Sequence, residues 1–152
     1  MFHKVKGVYT LPEYKLGVQF AEGVTKVYDV KPLLSKWKAF KALEDDPALF
    51  SGVFVDKGGY GIVWNDDIDL SCEELYAGGE TIKTPFDGLI AFTDATDIWG
   101  LHESTLRKAV EYGKLVPGID ACRYGNQWVI TTEAMYREYG KPVKRDWKMK
   151  KK

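Results

Sequence analysis

Apolar and polar residues alternate near the start of the chain, which is the period of a β-strand with one buried face. The alternating apolar positions are Leu16, Val18 and Phe20. Glu22-Gly23 is suited to a turn, and the β-branched residues that run to Val30 predict the return strand. The run "GVFVDKGGYGIVWN" predicts two more strands around Gly58-Gly59. The first half is therefore expected to be a meander of strands.

Segments in which apolar residues recur at helical spacing lie between these strands. The apolar positions after Pro32 are Leu33, Trp37, Phe40 and Leu43, and their spacing predicts one amphipathic helix. Asp46 before Pro47 is typical of a helix start and predicts a single turn through Phe50. Ser71 and Glu74 have the spacing of a capping box and predict another short helix. The stretch "AGGETIKTPFDG" is rich in glycine and polar residues, so residues 78–88 are predicted to be a linker.

The second half begins with two predicted helices. Thr93 is the expected N-cap of a helix that begins at Asp94 and runs to Trp99, where Gly100 ends it. A second helix is predicted in "ESTLRKAVEYG", with its apolar face toward the core. The positions on that face are Leu106, Ala109, Val110 and Gly113. The opposite face carries Ser104, Arg107, Lys108 and Glu111.

Two short helices joined by a turn with glycine, the second with hydroxyl and basic groups outward, can place a helix in a DNA major groove. Ser104 and Thr105 occupy the first turn, where they can meet phosphates or base edges. Arg107 and Lys108 supply charge and a guanine contact. Taken alone, however, two basic residues on a solvent face more often serve only solubility.

A β-hairpin and a last helix are predicted next. Residues 122–124 and 127–130 can pair across Gly125-Asn126, where glycine at the first position suits a type II′ turn. Alternation places Trp128 with Ile130 in the core. Thr131 is the expected N-cap of a helix that ends at Gly140. The hairpin is either an ordinary turn or a tip that contacts a ligand.

Composition narrows the class of protein. With 152 residues, 45% hydrophobic and 14% aromatic, the chain can fill a globular core. It contains neither a long apolar run nor a signal-peptide pattern, so we expect a cytoplasmic protein without a membrane partner. The formal net charge is zero, with residues 1–86 near −3 and residues 87–152 near +3. Much of the positive charge lies in the tail, residues 141–152, which is either a solvated tail or a basic arm for phosphates or lipid headgroups.

The sequence contains few residue patterns that are typical of catalytic or metal-binding sites. Cys72 and Cys122 have no partner at ligand spacing, which argues against zinc and disulfides. "NDDIDLSCEELY" resembles a calcium loop, but Leu70 stands where glycine is required and Tyr76 where glutamate is required. His3 and His102 are not tied to a nucleophile. We therefore expect no enzyme activity, no metal and no cofactor.

Two long stretches in the first half resemble a known family. "TLPEYKLGVQFAEGVTKVYDVKPLL" and "DPALFSGVFVDKGGYGIVWNDDIDLSCEELY" are similar to a family of small bacterial proteins known only as a domain of unknown function. The resemblance covers about residues 5–77 and includes Trp64. Members are often fused to helix-turn-helix units or encoded beside toxin-antitoxin genes. The resemblance thus implies that residues 1–77 bind a protein partner, such as a toxin, or dimerise.

The second half resembles another group. "GLHESTLRKAVEYGKL", "RYGNQWVIT" and "TEAMYREYG" follow one another as in the winged helix-turn-helix domains of the excisionase and MerR-type group, over about residues 89–140. This resemblance implies binding of duplex DNA, with the second helix in a groove and the hairpin as a wing. The implied DNA-binding residues are Ser104, Thr105, Arg107, Lys108, Lys114, Arg123, Asn126 and Gln127.

The chain departs from that group at the start of the second helix. His102 stands where a serine or threonine cap is usual, and Glu103 follows it. Because Glu103, Glu111 and Asp120 repel phosphate, we expect modest DNA affinity unless a homodimer doubles the contacts.

The sequence as a whole predicts an α+β protein. Its N-terminal part is a small β-meander domain with short helices, followed by a winged helix-turn-helix domain. The predicted function is DNA binding, by a transcriptional regulator or an autoregulating antitoxin. The alternative is a protein-interaction module, such as a toxin-sequestering antitoxin or scaffold, with little DNA binding of its own.

Overall fold

The computed structural model describes residues 2–143, and these residues divide into two units, 2–85 and 86–143. Each unit combines antiparallel strands with short helices, so the predicted α+β class is confirmed. The basic tail that was predicted from residue 141 onward lies outside the described residues except for Lys141, Pro142 and Val143.

The N-terminal unit contains a four-stranded antiparallel sheet. Its strands are β1 (Val5–Leu11), β2 (Lys15–Phe20), β3 (Thr25–Asp29) and β7 (Glu80–Ile82), in the order β1-β2-β3-β7. β7 lies inside the predicted linker, residues 78–88. It pairs with the free edge of β3, with Thr25 opposite Ile82. The strand is made by this long-range pairing, which the polar, glycine-rich composition of the segment does not indicate.

A three-stranded sheet completes the same unit. Its strands are β4 (Phe54–Val55), β5 (Gly61–Asn65) and β6 (Ile68–Ser71), in the order β4-β5-β6. The two strands predicted around Gly58-Gly59 are therefore confirmed. The backbone N–H of Val5 donates to the carbonyl of Gly59 at 2.8 Å, which ties this hairpin to the start of β1.

The single helix predicted after Pro32 is instead two helices with a break. The helical segments are α1 (Lys31–Lys36), a 3₁₀ turn (Lys38–Phe40) and α2 (Lys41–Asp45). Trp37 between them is extended, with φ −121° and ψ 123°. The break leaves the Trp37 side chain 51% exposed, whereas Leu34, Phe40 and Leu43 are buried. Burial of those three side chains requires a change of direction that a continuous helix cannot make.

The predicted helix caps of this unit are present. Asp46 Oδ1 accepts from the Ala48 N–H at 3.1 Å and starts α3 (Pro47–Ser51). Ser71 Oγ accepts from the Glu74 N–H at 3.1 Å and starts α4 (Cys72–Gly78). The Glu74 carboxylate accepts from the Tyr28 hydroxyl at 2.8 Å. Burial, followed by this carboxylate, raises the pKa of Tyr28.

One hydrophobic core serves the N-terminal unit, and Trp64 is central to it. Its indole N–H donates to the carbonyl of Phe50 at 3.1 Å, and its ring packs on Phe40 and Phe50. Cys72 is buried in the same core as a free thiol.

The C-terminal unit has a three-stranded sheet and three helices. The elements are β8 (Leu89–Ala91), α5 (Phe92–Trp99), α6 (Glu103–Glu111), β9 (Ala121–Tyr124), β10 (Gln127–Thr131) and α7 (Thr132–Tyr139). The strand order is β8-β10-β9. β8 was not predicted, and it pairs with the far edge of the predicted hairpin.

The start of α5 differs from its prediction. The helix begins at Phe92 rather than Asp94, and its N-cap is Ala91 with no side-chain hydrogen bond. Thr93 is therefore not the cap, because β8 runs directly into the helix and places Thr93 inside the first turn. The predicted end is confirmed, since Gly100 takes the left-handed conformation at φ 67° and ψ 36°.

The last helix follows its prediction at both ends. Thr131 Oγ1 accepts from the Ala134 N–H at 3.0 Å, and Gly140 is the C-cap. Among residues 2–143, no helix has the length and apolar character needed to span a bilayer.

Candidate functional site

The exposed face of α6 is fixed by what the helix buries. Leu106 is fully buried and Ala109 nearly so, against the core of the C-terminal unit. The residues predicted to face outward are all exposed, namely Ser104, Arg107, Lys108 and Glu111. Thr105 of the first turn is exposed as well. Five polar side chains, two of them cationic, are thus presented to solvent along the helix.

The β9–β10 hairpin presents a second polar surface. Gly125 has φ 62°, as the predicted tight turn requires. Arg123, Asn126 and Gln127 are exposed around it. Arg123 Nε donates to the carbonyl of Gly125 at 2.9 Å, so this side chain folds over the turn and leaves its terminal N–H groups at the tip.

α6 and the hairpin border one open cleft of about 410 Å³. Its lining residues come from the starts of α5 and α6 and from the hairpin. They are Phe92, Thr93, Glu103, Arg107, Tyr124, Asn126, Gln127 and Trp128. Of the predicted DNA-binding residues, the structure therefore brings Arg107, Asn126 and Gln127 together.

Trp128 packs against the core as predicted, but it also lines the cleft. It is only partly buried, and its ring stacks on Phe92 with centroids 5.6 Å apart and planes 18° apart. One face of the indole joins the core while another part lines the cleft. Phe92, at the start of α5, is buried at 2% exposed.

Glu103 and Arg107 are joined by an ion pair. Arg107 Nη2 donates to Glu103 Oε2 at 2.7 Å, one helical turn apart. Glu103 was expected to repel phosphate. Its carboxylate also positions the Arg107 guanidinium at the cleft.

Lys114 lies apart from the cleft lining. Its Nζ is 4.6 Å from the centroid of the Tyr139 ring, a cation–π contact with α7. The side chain is exposed and so can still meet a phosphate, but the structure does not group it with Arg107.

Asp120 does not add exposed negative charge, contrary to expectation. It is 5% exposed, and Arg137 of α7 donates to both of its carboxylate oxygens. Hydrogen bonds from Arg137 and from the Val116 N–H hold the pKa of Asp120 below its ordinary value. The carboxylate is therefore neutralised inside the unit, and Glu103 and Glu111 remain as the acids of α6.

Five cleft residues were not among the predicted DNA-binding residues. They are Phe92, Thr93, Glu103, Tyr124 and Trp128. Tyr124 was detectable in principle, because it pairs with Gln127 directly across the turn and is 63% exposed. The other four depend on how the hairpin, α5 and α6 pack, which the sequence period does not give.

The two histidines lie in different surroundings. His3 Nδ1 lies 2.9 Å from the Glu22 carboxylate, and its ring stacks on Tyr76 at 3.5 Å between centroids. His102 is exposed at the N-cap of α6 and makes no side-chain cap bond. Within residues 2–143, no group of His, Cys, Asp or Glu is arranged to hold a metal ion. Cys122 is partly buried and, like Cys72, a free thiol.

A family model matches residues 5–81, about half of the chain. The family is described as a protein of unknown function, DUF2442. The chain belongs to this family. The resemblance of the first half to a domain of unknown function is thereby confirmed, and membership assigns no activity. No curated protein matches the chain.

A solved structure offers one further comparison. The chain is similar to the crystal structure of "Putative DNA Binding Protein NE0471" from Nitrosomonas europaea ATCC 19718. The two sequences are 18% identical over 78% of this chain and 81% of that chain, with a TM-score of 0.45. A likeness at this level does not bear on the function of the cleft.

Proposed function

We propose that the C-terminal unit binds duplex DNA as a winged helix-turn-helix domain, with α6 in the major groove and the β9–β10 hairpin as the wing. The observation that carries the proposal is the cleft, because the polar face of α6 and the polar tip of the hairpin border it together. The turn from α5 to α6 is short and contains the left-handed Gly100, which suits a helix-turn-helix pair.

The exposed side chains have the chemistry for both kinds of DNA contact. Arg107 of α6 carries the donor groups that read base edges in the major groove, and Asn126 and Gln127 carry amide donors on the wing. Ser104, Thr105 and Lys108 are exposed on the same helix and suit phosphate oxygens. Arg123 has its remaining N–H groups at the wing tip, where a wing meets the backbone.

Charge limits the affinity of this surface. Residues 86–143 hold six Lys/Arg and eight Asp/Glu. Residues 144–152 hold six Lys/Arg and one Asp, and they lie outside the described residues. We propose that this basic segment adds phosphate contacts. Binding that does not depend on base contacts comes from Lys and Arg side chains, which neutralise phosphates and release counterions from the DNA.

The test is a mobility-shift titration of the full chain with duplex DNA that flanks its own gene, at 50 and at 200 mM salt. Binding is expected to weaken at the higher salt, with a slope of log K against log salt of roughly −0.9 per phosphate contact. Arg107→Ala is expected to weaken binding, and Arg123→Ala to lower the slope by about one contact. Lys41→Ala is the matched control, because it removes one exposed positive charge from the N-terminal unit.

Two results would contradict DNA binding. One is the absence of any salt-dependent shift with the intact chain. The other is a shift that neither Arg107→Ala nor Arg123→Ala weakens. Loss of the DNA with time at fixed protein would instead reveal turnover, and hence an enzyme.

A second candidate function is protein interaction through the N-terminal unit. Tyr9 and Leu11 of β1 lie on the sheet face that also carries Gly17, and they are 59% and 37% exposed. An apolar group at that face favours contact with another protein, such as a toxin or a second copy of the chain. Tyr9→Ser with Leu11→Ser is expected to abolish such an interaction and to leave DNA binding unchanged.

A further inference from the structure

Glu103 and Arg107 form an unusual pair for a surface that meets DNA. Their N–O distance is 2.7 Å, and the side chains are 39% and 64% exposed. Exposed pairs of this kind contribute little to folding stability. Both residues also line the cleft that faces the wing. A carboxylate at this position repels phosphate, so phosphate contacts give no reason for it to lie on a DNA-binding surface.

Base edges are the part of DNA to which both groups are complementary. The N–H groups of a guanidinium match the O6 and N7 acceptors of guanine, and a carboxylate accepts from the N4 amino group of cytosine. The Glu103–Arg107 ion pair therefore offers one partner for guanine and one for cytosine. Among the described residues, the Arg107 guanidinium makes its hydrogen bond to Glu103 through Nη2, so its other N–H groups remain able to donate.

The spacing of the pair suits neighbouring bases. Residues four apart on a helix are about one turn of 5.4 Å apart along its axis, and stacked bases of one strand are about 3.4 Å apart. Side chains that touch each other across that turn can therefore reach bases of one pair or of two adjacent pairs. The phosphates lie farther from the groove floor than the base edges do. A contact with a phosphate does not require an acidic side chain beside the basic one.

Given the proposed DNA-binding function, we propose that Glu103 and Arg107 act together as the base-reading unit of this protein. Arg107 donates to guanine O6 and N7, and Glu103 accepts from cytosine N4. The site recognised by α6 therefore contains a cytosine and a guanine in the same or adjacent base pairs. The ion pair holds the guanidinium in place, so that fewer side-chain conformations are lost on binding.

The test begins with selection of duplexes from a random library by the full chain. Fluorescence anisotropy then gives the affinity for the selected duplex and for duplexes with single base-pair replacements, at one salt concentration. Replacement of the cytosine or the guanine pair by an A·T pair is expected to lower the affinity about tenfold or more.

Three variants assign the readout to the pair. Arg107→Ala is expected to lose the preference for guanine. Glu103→Gln is expected to bind DNA in general more tightly, because a negative charge is removed. It is also expected to shift the preference from cytosine toward adenine, with which an amide pairs. Lys108→Ala is the matched control on the same helix, and it should weaken binding to all duplexes by one factor.

The outcomes separate this inference from the proposed function. If the intact chain binds DNA, but Glu103→Gln and Arg107→Ala change the affinity for every duplex by one factor, the pair does not read bases and the inference is overturned. DNA binding itself then stands. If the intact chain binds no duplex from the library, both the inference and the proposed function fail. Circular dichroism of each variant confirms that α6 is still folded.

Discussion

Arg137 holds the carboxylate of Asp120 with two hydrogen bonds, from Nη1 to Oδ1 at 3.1 Å and from Nη2 to Oδ2 at 2.8 Å. The same carboxylate accepts from the Val116 N–H at 2.8 Å. Asp120 immediately precedes β9, and Arg137 lies on α7. The contact therefore fixes the base of the hairpin to the last helix, and with it the position of the tip that borders the cleft.

This contact predicts a specific loss of stability in acid. Because the hydrogen bonds lower the pKa of Asp120 in the folded protein, its stabilising effect is complete above the ordinary Asp pKa of 3.8 and is lost as the pH falls through the folded value. We expect the difference in unfolding free energy between the wild type and Asp120→Asn to be constant from pH 7 to pH 5 and to shrink below about pH 4.

Denaturant unfolding at several pH values measures this difference, with the indole N–H signals of Trp99 and Trp128 as reporters of the C-terminal unit. A difference that grows as the pH falls below 4 would show that the Asp120 carboxylate is not stabilised by Arg137.

Two threonines of the C-terminal unit are expected to differ in their effect on stability. Thr131 caps α7 through its hydroxyl, whereas Thr93 lies inside the first turn of α5 and caps nothing. Thr131→Ala should lower the unfolding free energy of the unit by about 1 kcal/mol. Thr93→Ala should change it much less, so it serves as the control. The two variants are compared by denaturant unfolding with the same indole signals, and equal losses would contradict the observed helix start.

Gly61 of β5 is expected to tolerate no side chain. A Cβ there would lie 2.5 Å from the carbonyl oxygen of Leu70, on the neighbouring strand of the sheet. Gly61→Ala should therefore lower the unfolding free energy of the N-terminal unit by about 1 to 3 kcal/mol.

Gly52→Ala is the matched control for this prediction. A Cβ at Gly52 would be 3.4 Å from the nearest atom, the carbonyl oxygen of Leu49, and its backbone angle of φ −85° suits alanine. Unfolding followed by the Trp64 indole signal should separate the two variants. Equal stability of Gly61→Ala and the wild type would show that β5 and β6 can move apart.

Local sequence signals predicted many features of the fold. Asp46, Ser71 and Thr131 cap the helices that follow them, and Gly100 ends α5. The hairpin at Gly125 forms where the two-residue turn was predicted. Each of these features depends on interactions between residues no more than about four positions apart, so the sequence pattern contains all the partners.

Features that depend on distant partners were not predictable in this way. The break at Trp37 follows from how Leu34, Phe40 and Leu43 reach the core, and β7 exists because β3 has an open edge. Neither feature has a signal in the local sequence. The amphipathic period after Pro32 alone favours one continuous helix.

The candidate site shows the same division. The sequence by itself determined that Arg107 lies on the outer face of α6 and that Asn126 and Gln127 lie at a turn. Only the tertiary structure brought these residues to one cleft, paired Arg107 with Glu103 there, and removed the Asp120 charge by pairing it with Arg137. The physical reason is that a helical period fixes which side of an element faces solvent, whereas packing between elements decides which solvent-facing groups are neighbours.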